Sequence, residues 1–321
     1  MHAIQVTVTG GPEVLVPTEL DDPSPGPGQL LVAVAASGVN FIDTYQRSGQ
    51  YPLPLPFVPG SEGAGVVRSV GAGADPALVG TRVAWATAPA SYAELVVVDS
   101  TQAVAVPDGV SDAEAASVLL QGLTAHYLLT STYAVQPGDT VLVHAGAGGT
   151  GLVLTQLAVA RGARVVTTVS SDAKAELSRA AGAAVVLRYT DDVAARVREL
   201  TDGEGVAAVY DGVGASTFES SLASLRVRGT LALFGAASGP VPPFDPQRLN
   251  GAGSVFLTRP TLVHHVRTPE ELHRRADDVL AAVADGSLRL RVGASFPLAE
   301  AAAAHTALQA RETTGSVVLL P

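Results

Sequence analysis

The sequence predicts an α/β protein of two domains, a β-rich, barrel-like domain followed by a doubly wound parallel sheet of about six strands. Three observations predict it. A chain of 321 residues is too long for one ordinary domain of about 100 to 200 residues and too short for three. Residues 1 to about 118 read as short extended segments separated by turns. From about 120 to 290 strand and helix patterns alternate, which requires parallel strands joined by crossover helices.

In chain order, IQVTV (4–8) alternates and LLVAVAAS (30–37) is rich in β-formers, while the run DPSPGPG (22–28) between them forbids regular structure. GAGVVRSV (63–70), TRVAWA (81–86) and AELVVVD (93–99) continue the first domain. Ser111 and Glu114 form a capping box, in which a hydroxyl and a carboxylate satisfy the first free N–H groups of a helix. The sheet strands are TVLVHA (140–145), RVVTTVS (164–170), AAVVL (183–187), VAAVYD (206–211), TLALFG (230–235) and SVFLT (254–258). Thr268 caps a further helix with Pro269 at its first position and Gly286 near its stop. Residues 298–311 are helical in pattern, and a last strand, SVVLLP (316–321), is expected to return to the first domain. The expected division is therefore 1–120 with 292–321 as one domain, and 121–291 as the other.

Composition narrows function by exclusion. With 47% hydrophobic and 16% charged residues a sizeable core can form, which excludes disorder. The 20 Lys and Arg against 30 Asp and Glu leave a formal charge of −10, which repels phosphate backbones, so nucleic acid is not an expected partner. The absence of cysteine removes disulfides, thiolate zinc sites, iron–sulfur clusters and cysteine nucleophiles. No run of about 18 apolar residues occurs and the opening MHAIQVTVTGG has no signal-peptide pattern, so a cytoplasmic chain without membrane segments is expected.

Chemistry is concentrated at residues 140–162. The strand TVLVHA runs into Gly146, Ala147, Gly148, Gly149, Thr150 and Gly151, then into an apolar helical segment ending at Gly162. A G-x-G-x-x-G run in so glycine-rich a chain means little alone; placed between a strand and a helix it is a dinucleotide fingerprint. Glycines at the turn let main-chain N–H groups reach a pyrophosphate, the helix N-terminus adds partial positive charge, and Gly151 permits close helix–sheet packing. In NAD-binding chains the end of the second strand carries a carboxylate for the ribose 2′-hydroxyl. Here it reads Val169-Ser170-Ser171-Asp172, with Lys174 one turn into the next helix, which favours NADP(H). Asp172 argues the other way; it sits two positions late, where it is expected to cap the helix.

The order of a β-rich front, a dinucleotide sheet and a returning C-terminus resembles the medium-chain dehydrogenase/reductase superfamily, which implies a GroES-like barrel domain and a Rossmann domain. Zinc-dependent members carry a Cys where this chain has Asn40 and a His where it has Ser61, and neither an amide nor a hydroxyl beside a lone Glu62 is a competent zinc ligand set. The seven histidines form no cluster in sequence that would replace it. The segments GGPEVL (10–15), GVNFIDTYQRSGQYP (38–52), GLTAHYLL (122–129), HAGAGGTG (144–151), VYDGVG (209–214) and LTRPTL (257–262) resemble those of NADPH-dependent quinone oxidoreductases, the zinc-free, zeta-crystallin-like branch.

The resemblance implies NADPH as cofactor, a small quinone as substrate, no metal and a homodimer. It implies that Asn40, Asp43, Tyr45 and Tyr51 line the catalytic cleft, with Phe41 beside the cofactor. Thr124 and Tyr127 would contact the nicotinamide end, and Phe234, Gly235, Ala236, Ser238, Leu257 and Thr258 would support its ring. Ser170, Ser171, Lys174 and Tyr189 would surround the 2′-phosphate, and Arg311 would add charge from the C-terminal segment. Ser170 where the family often has Gly, and the absence of a polar amide in the loop 234–238, depart from its pattern. Two other activities remain open on the sequence: an NADPH-dependent reductase of enoyl or 2-alkenal substrates, and an NADPH-binding protein with a structural or regulatory role.

Overall fold

The chain divides into two units, residues 1–123 with 266–321, and residues 124–265. The structure is a computed structural model describing residues 1–321.

The first unit opens with β1 (His2–Gln5) and β2 (Val16–Glu19), an antiparallel pair. Then follow β3 (Gln29–Val39), α1 (Phe41–Arg47), β4 (Gly63–Val70), β5 (Arg82–Trp85), β6 (Leu95–Asp99) and β7 (Val104–Ala105). Along β3, Leu30, Val32, Val34 and Ala36 are buried in strict alternation, and the first three pack with Val83, Trp85, Val96 and Val98. β4 pairs antiparallel with residues 30–37 of β3 and β6 with residues 29–33, so β3 is an interior strand of the sheet. Helix α1 falls inside a stretch read from sequence as extended or looped. Seven residues are too few to show helical periodicity, and its start is set by the Asp43 carboxylate accepting the Asn40 N–H at 2.8 Å.

Helix α2 (Asp112–Tyr127) starts at the anticipated capping box: Ser111 N–H donates to the Glu114 carboxylate at 3.0 Å and Glu114 N–H to the Ser111 hydroxyl at 3.3 Å. The second unit contains β8 (Thr140–Val143), α3 (Gly149–Ala160), β9 (Arg164–Val169), α4 (Asp172–Ala180), β10 (Val185–Arg188), α5 (Val193–Leu200), β11 (Val206–Asp211), α6 (Phe218–Ala223), β12 (Leu225–Leu233), α7 (Gln247–Gly251) and β13 (Phe256–Thr258). All neighbours are parallel, in the order β10-β9-β8-β11-β12-β13. Every residue of β11 is buried, as a central strand covered on both faces demands. Leu142, Val166, Val209 and Leu231 carry the core between sheet and helices.

Helix α8 (Pro269–Ala284), β14 (Val292–Pro297), α9 (Ala301–Gln309) and β15 (Ser316–Leu320) complete the first unit. Strand β15 runs antiparallel to β3, Val318 opposite Gly38, and parallel to β14. Residues 266–291 cluster with the first unit, whereas the sequence rhythm assigned them to the second. The reason is packing: a Cβ on Gly122 of α2 would lie 2.6 Å from Val279 of α8, so the two helices meet where only glycine fits.

Candidate active site

In the second unit β8 delivers the chain to the glycine turn. Gly146 N–H donates to Thr168 O at 3.0 Å, and Gly148 N–H to Ala145 O at 2.9 Å, folding the loop back on itself. A Cβ on Gly151 would stand 2.2 Å from Ala145 O, and one on Gly146 2.6 Å from Thr167 Cβ. These two glycines are thus required by backbone and strand packing alone. Helix α3 begins at Gly148 with no side chain capping it. Its first N–H groups have no partner within the helix, which is the arrangement an anion satisfies. Ala147 is buried, while Gly148, Gly149 and Thr150 are half-buried.

At the end of β9, Ser170 and Ser171 are exposed and Lys174 is half-buried on α4. The cap of α4 is the Ser171 hydroxyl, which accepts the Lys174 N–H at 3.4 Å. Asp172, expected to cap, is the first helical residue, and its carboxylate pairs with the Arg188 guanidinium instead. Tyr189 follows β10, and its hydroxyl accepts the Ala145 N–H at 2.9 Å, so this tyrosine is tied to the glycine turn.

Thr124 and Tyr127, expected at the nicotinamide end, are buried at the end of α2, the Tyr127 ring stacking on His265 at 4.1 Å and 2°. Phe234, Gly235, Ala236 and Ser238 follow β12; Phe234 N–H donates to Asp211 O at 2.9 Å. The Ser238 hydroxyl donates to Val213 O at 2.8 Å and accepts the Ser216 N–H at 3.0 Å. Leu257 and Thr258 lie on β13, half-buried. The cradle that a Cβ would fill, the uncapped helix and the carboxylate-free end of β9 fit a dinucleotide. Arg311 belongs to the first unit, exposed just past α9.

In the first unit, Phe41, Tyr45 and Tyr51 form an aromatic group: Tyr45 meets Phe41 at 6.4 Å and Tyr51 edge-on at 5.3 Å. Tyr45 is buried on α1 and Tyr51 is 38% exposed. Asn40 and Asp43 lie in a buried polar network that sequence reading did not foresee. The Asn40 amide donates to Glu62 at 2.8 Å, Glu62 also accepts the Leu120 N–H at 2.7 Å, and the Ser316 hydroxyl donates to Gln121 at 2.8 Å. The Tyr92 hydroxyl donates to Asp43 at 2.9 Å and lies 3.1 Å from His305 Nε2, while Arg47 Nη1 is 3.2 Å from His305 Nδ1. Arg47 can only donate, so His305 accepts at Nδ1 and carries its proton on Nε2.

Burial pushes the Asp43 carboxyl up to about 7 and the Glu62 carboxyl up to about 8, against the hydrogen bonds each accepts. Burial and the neighbouring Arg47 hold His305 down to about 3. Asp43 is fully buried with its second oxygen unpartnered, so it orients α1 and Tyr92 and does not present a carboxylate to substrate. The residues missed from sequence are Glu62, Tyr92, Gln121 and His305. Gly38 leaves room for Glu62: a Cβ there would lie 2.4 Å from a Glu62 carboxyl oxygen. No group of three His, Asp or Glu side chains is arranged to hold a metal ion.

A parallel dinucleotide sheet joined to a β-rich unit that the C-terminal strand completes defines a medium-chain dehydrogenase/reductase. Family models agree: residues 26–108 match the alcohol dehydrogenase GroES-like domain, and 149–279 the zinc-binding dehydrogenase model. The second match excludes Asn40 and Ser61, so its name says nothing about the positions where zinc ligands stand in such enzymes. A Pseudomonas aeruginosa quinone oxidoreductase is 48% identical over 321 residues, 99% of each chain, and a Burkholderia 2-haloacrylate reductase 42% identical over 97% of this chain and 96% of its own. The chain belongs to the quinone oxidoreductase family. A mycobacterial structure complexed with NADPH has 59% identity and a TM-score of 0.98, covering 100% of both chains; an Escherichia coli quinone oxidoreductase complexed with NADPH has 39% identity and the same TM-score and coverage. No helix is long and apolar enough to cross a membrane.

Proposed function

We propose that this chain is a zinc-independent enzyme that reduces quinones with NADPH. The observation that carries the reading is the cradle at 146–151 followed by a β9 end with hydroxyls where a carboxylate would select NAD, in a chain 39% identical, over its whole length, to a quinone oxidoreductase solved with NADPH.

Residues 146–151 would hold the pyrophosphate, Ser170, Ser171, Lys174 and Tyr189 the adenosine 2′-phosphate, and Thr124, Tyr127, Phe234, Gly235, Ala236, Ser238, Leu257 and Thr258 the nicotinamide end. When bound, NADPH supplies two electrons and one hydrogen to the conjugated acceptor. Tyr45 and Asn40 donate hydrogen bonds to the acceptor oxygen as negative charge develops on it. The fixed Asn40–Glu62 bond holds one amide hydrogen, leaving the other for that oxygen. Phe41 and Tyr51 give the planar acceptor an apolar wall. The reduced product resembles a phenol, of pKa about 10, so it takes its proton at neutral pH without a strong acid. Zinc independence follows from the donor set, because an Asn40 amide and a Ser61 hydroxyl, standing where zinc-dependent members carry Cys and His, bind zinc poorly.

The edge strand β13 bonds only to β12 and exposes Phe256, 62% accessible, so a second copy of the chain is proposed to pair there, forming a homodimer. The enzyme is placed in the cytoplasm, where NADPH is regenerated. A second reading, reduction of an activated alkene, is favoured by the relationship to the 2-haloacrylate reductase. Turnover of a quinone and of 2-chloroacrylate, measured side by side at equal enzyme, decides: faster turnover of the quinone supports the proposal, and turnover of the acrylate alone overturns it.

A further inference from the structure

At the end of β10, opposite Val169 of β9 in the sheet register, stands Arg188. A dinucleotide's adenosine ribose lies at the end of the second strand of such a sheet, so Arg188 closes the same sheet end from the neighbouring strand. Three carboxylates stand on the segments that follow β9 and β10. Asp192 accepts the Ala195 N–H at 3.0 Å as the cap of α5, and Asp191 accepts the Arg188 main-chain N–H at 2.8 Å. Asp172, the first residue of α4, is fully exposed and is engaged by the Arg188 guanidinium through Nη2. Arg188 Nη1 is buried and has no hydrogen-bond partner.

A free Asp172 carboxylate two residues past Ser170 would accept a ribose 2′-hydroxyl and repel a 2′-phosphate. Bound to Arg188, its charge is compensated, and the Arg188 side chain, 27% exposed, carries further N–H donors of the kind a phosphate oxygen accepts in a fork-shaped contact. Lys174, on the same helix as Asp172, adds a second cation.

We propose that Arg188 is a specificity-determining residue for NADPH, silencing Asp172 and adding positive charge for the 2′-phosphate. This rests on the cofactor reading above. Neither the glycine fingerprint nor the β9 end reveals it, because Arg188 belongs to a different strand and reaches Asp172 only through the sheet register.

Calorimetric titration of the full-length protein with NADP⁺ and with NAD⁺ tests it without turnover. If the wild type binds NAD⁺ as tightly as NADP⁺, the cofactor reading itself fails, whatever Arg188 does. Given a wild-type preference for NADP⁺, Arg188→Ala should weaken NADP⁺ by about ten- to a hundredfold, the worth of a charged hydrogen bond, while NAD⁺ changes less than about twofold. Adding Asp172→Asn to Arg188→Ala should restore at least half of the lost preference on a logarithmic scale. Asp172→Asn alone, which leaves the arginine in place should the other variant fold poorly, should bind NADP⁺ at least as tightly as the wild type. An undiminished NADP⁺ preference in Arg188→Ala, a double variant no better than the single one, or weaker NADP⁺ binding by Asp172→Asn alone each overturns the proposal.

Discussion

The side-chain amide of Asn40 and the carboxyl group of Glu62, both buried, meet at 2.8 Å, so the residue that caps α1 is oriented by a carboxyl group that solvent does not reach. That carboxyl and its neighbour Asp43 make stability depend on pH with an unusual sign. Folding raises Glu62 from 4.5 to about 8 and Asp43 from 3.8 to about 7, so over this range the folded chain binds more protons than the unfolded one. Their stabilising protonation is complete below about 4 and is lost as pH climbs through 7 to 8. His305 and His144, kept neutral by burial, act oppositely below 6.5, because there the unfolded chain takes up protons the fold refuses. Above 6.5 the histidine effect is gone and the carboxyl effect continues. Thermal melts should therefore show Tm falling from about pH 6.5 to 8.5, and Glu62→Gln should flatten that fall; a rising Tm in the wild type contradicts the assignment.

Gly151→Ala should abolish nucleotide binding. The added Cβ meets the Ala145 carbonyl at 2.2 Å, a main-chain atom that cannot step aside without distorting the cradle. Overpacking of this kind costs about 1–3 kcal/mol, readable in urea unfolding. Gly148→Ala, whose nearest neighbour is the same carbonyl at 3.3 Å, should be milder in both measurements. Equal effects at the two positions would mean that glycine at 151 serves no steric purpose.

Lys174→Ala should weaken NADPH by about tenfold or more while leaving NADH nearly unchanged, since its proposed contact is a phosphate that NADH lacks. Fluorescence titration with both nucleotides reads the ratio, and parallel losses would remove Lys174 from the phosphate site.

Tyr45→Phe keeps the ring that packs between Phe41 and Tyr51 and deletes only the hydroxyl. Turnover with a quinone should drop about tenfold or more with NADPH affinity unaltered, because the hydroxyl is proposed to act on charge that develops in the transition state. An unchanged kcat would leave Tyr45 a packing residue.

The dinucleotide sheet was legible because two signals coincide: alternating strand and helix patterns, and glycines at the one turn where side chains cannot fit. Gly146 and Gly151 announce themselves in sequence for the steric reasons the structure displays. What stayed hidden is what long-range pairing creates. Glu62 reaches Asn40 across 22 positions, Tyr92 reaches Asp43 across 49, and His305 reaches Arg47 across 258, and no local pattern encodes such distances. Helix α1 was hidden by its brevity, and the cap of α4 was misassigned by one residue because Ser171 and Asp172 are both good caps; Asp172 is drawn off by Arg188, which sequence places 16 positions away.

An absorbance assay following oxidation of NADPH by a quinone, run with and without a strong zinc chelator, tests metal-free quinone reduction most directly. Turnover at the same rate in both conditions is expected. Activity that disappears with chelator and returns on adding zinc would contradict it.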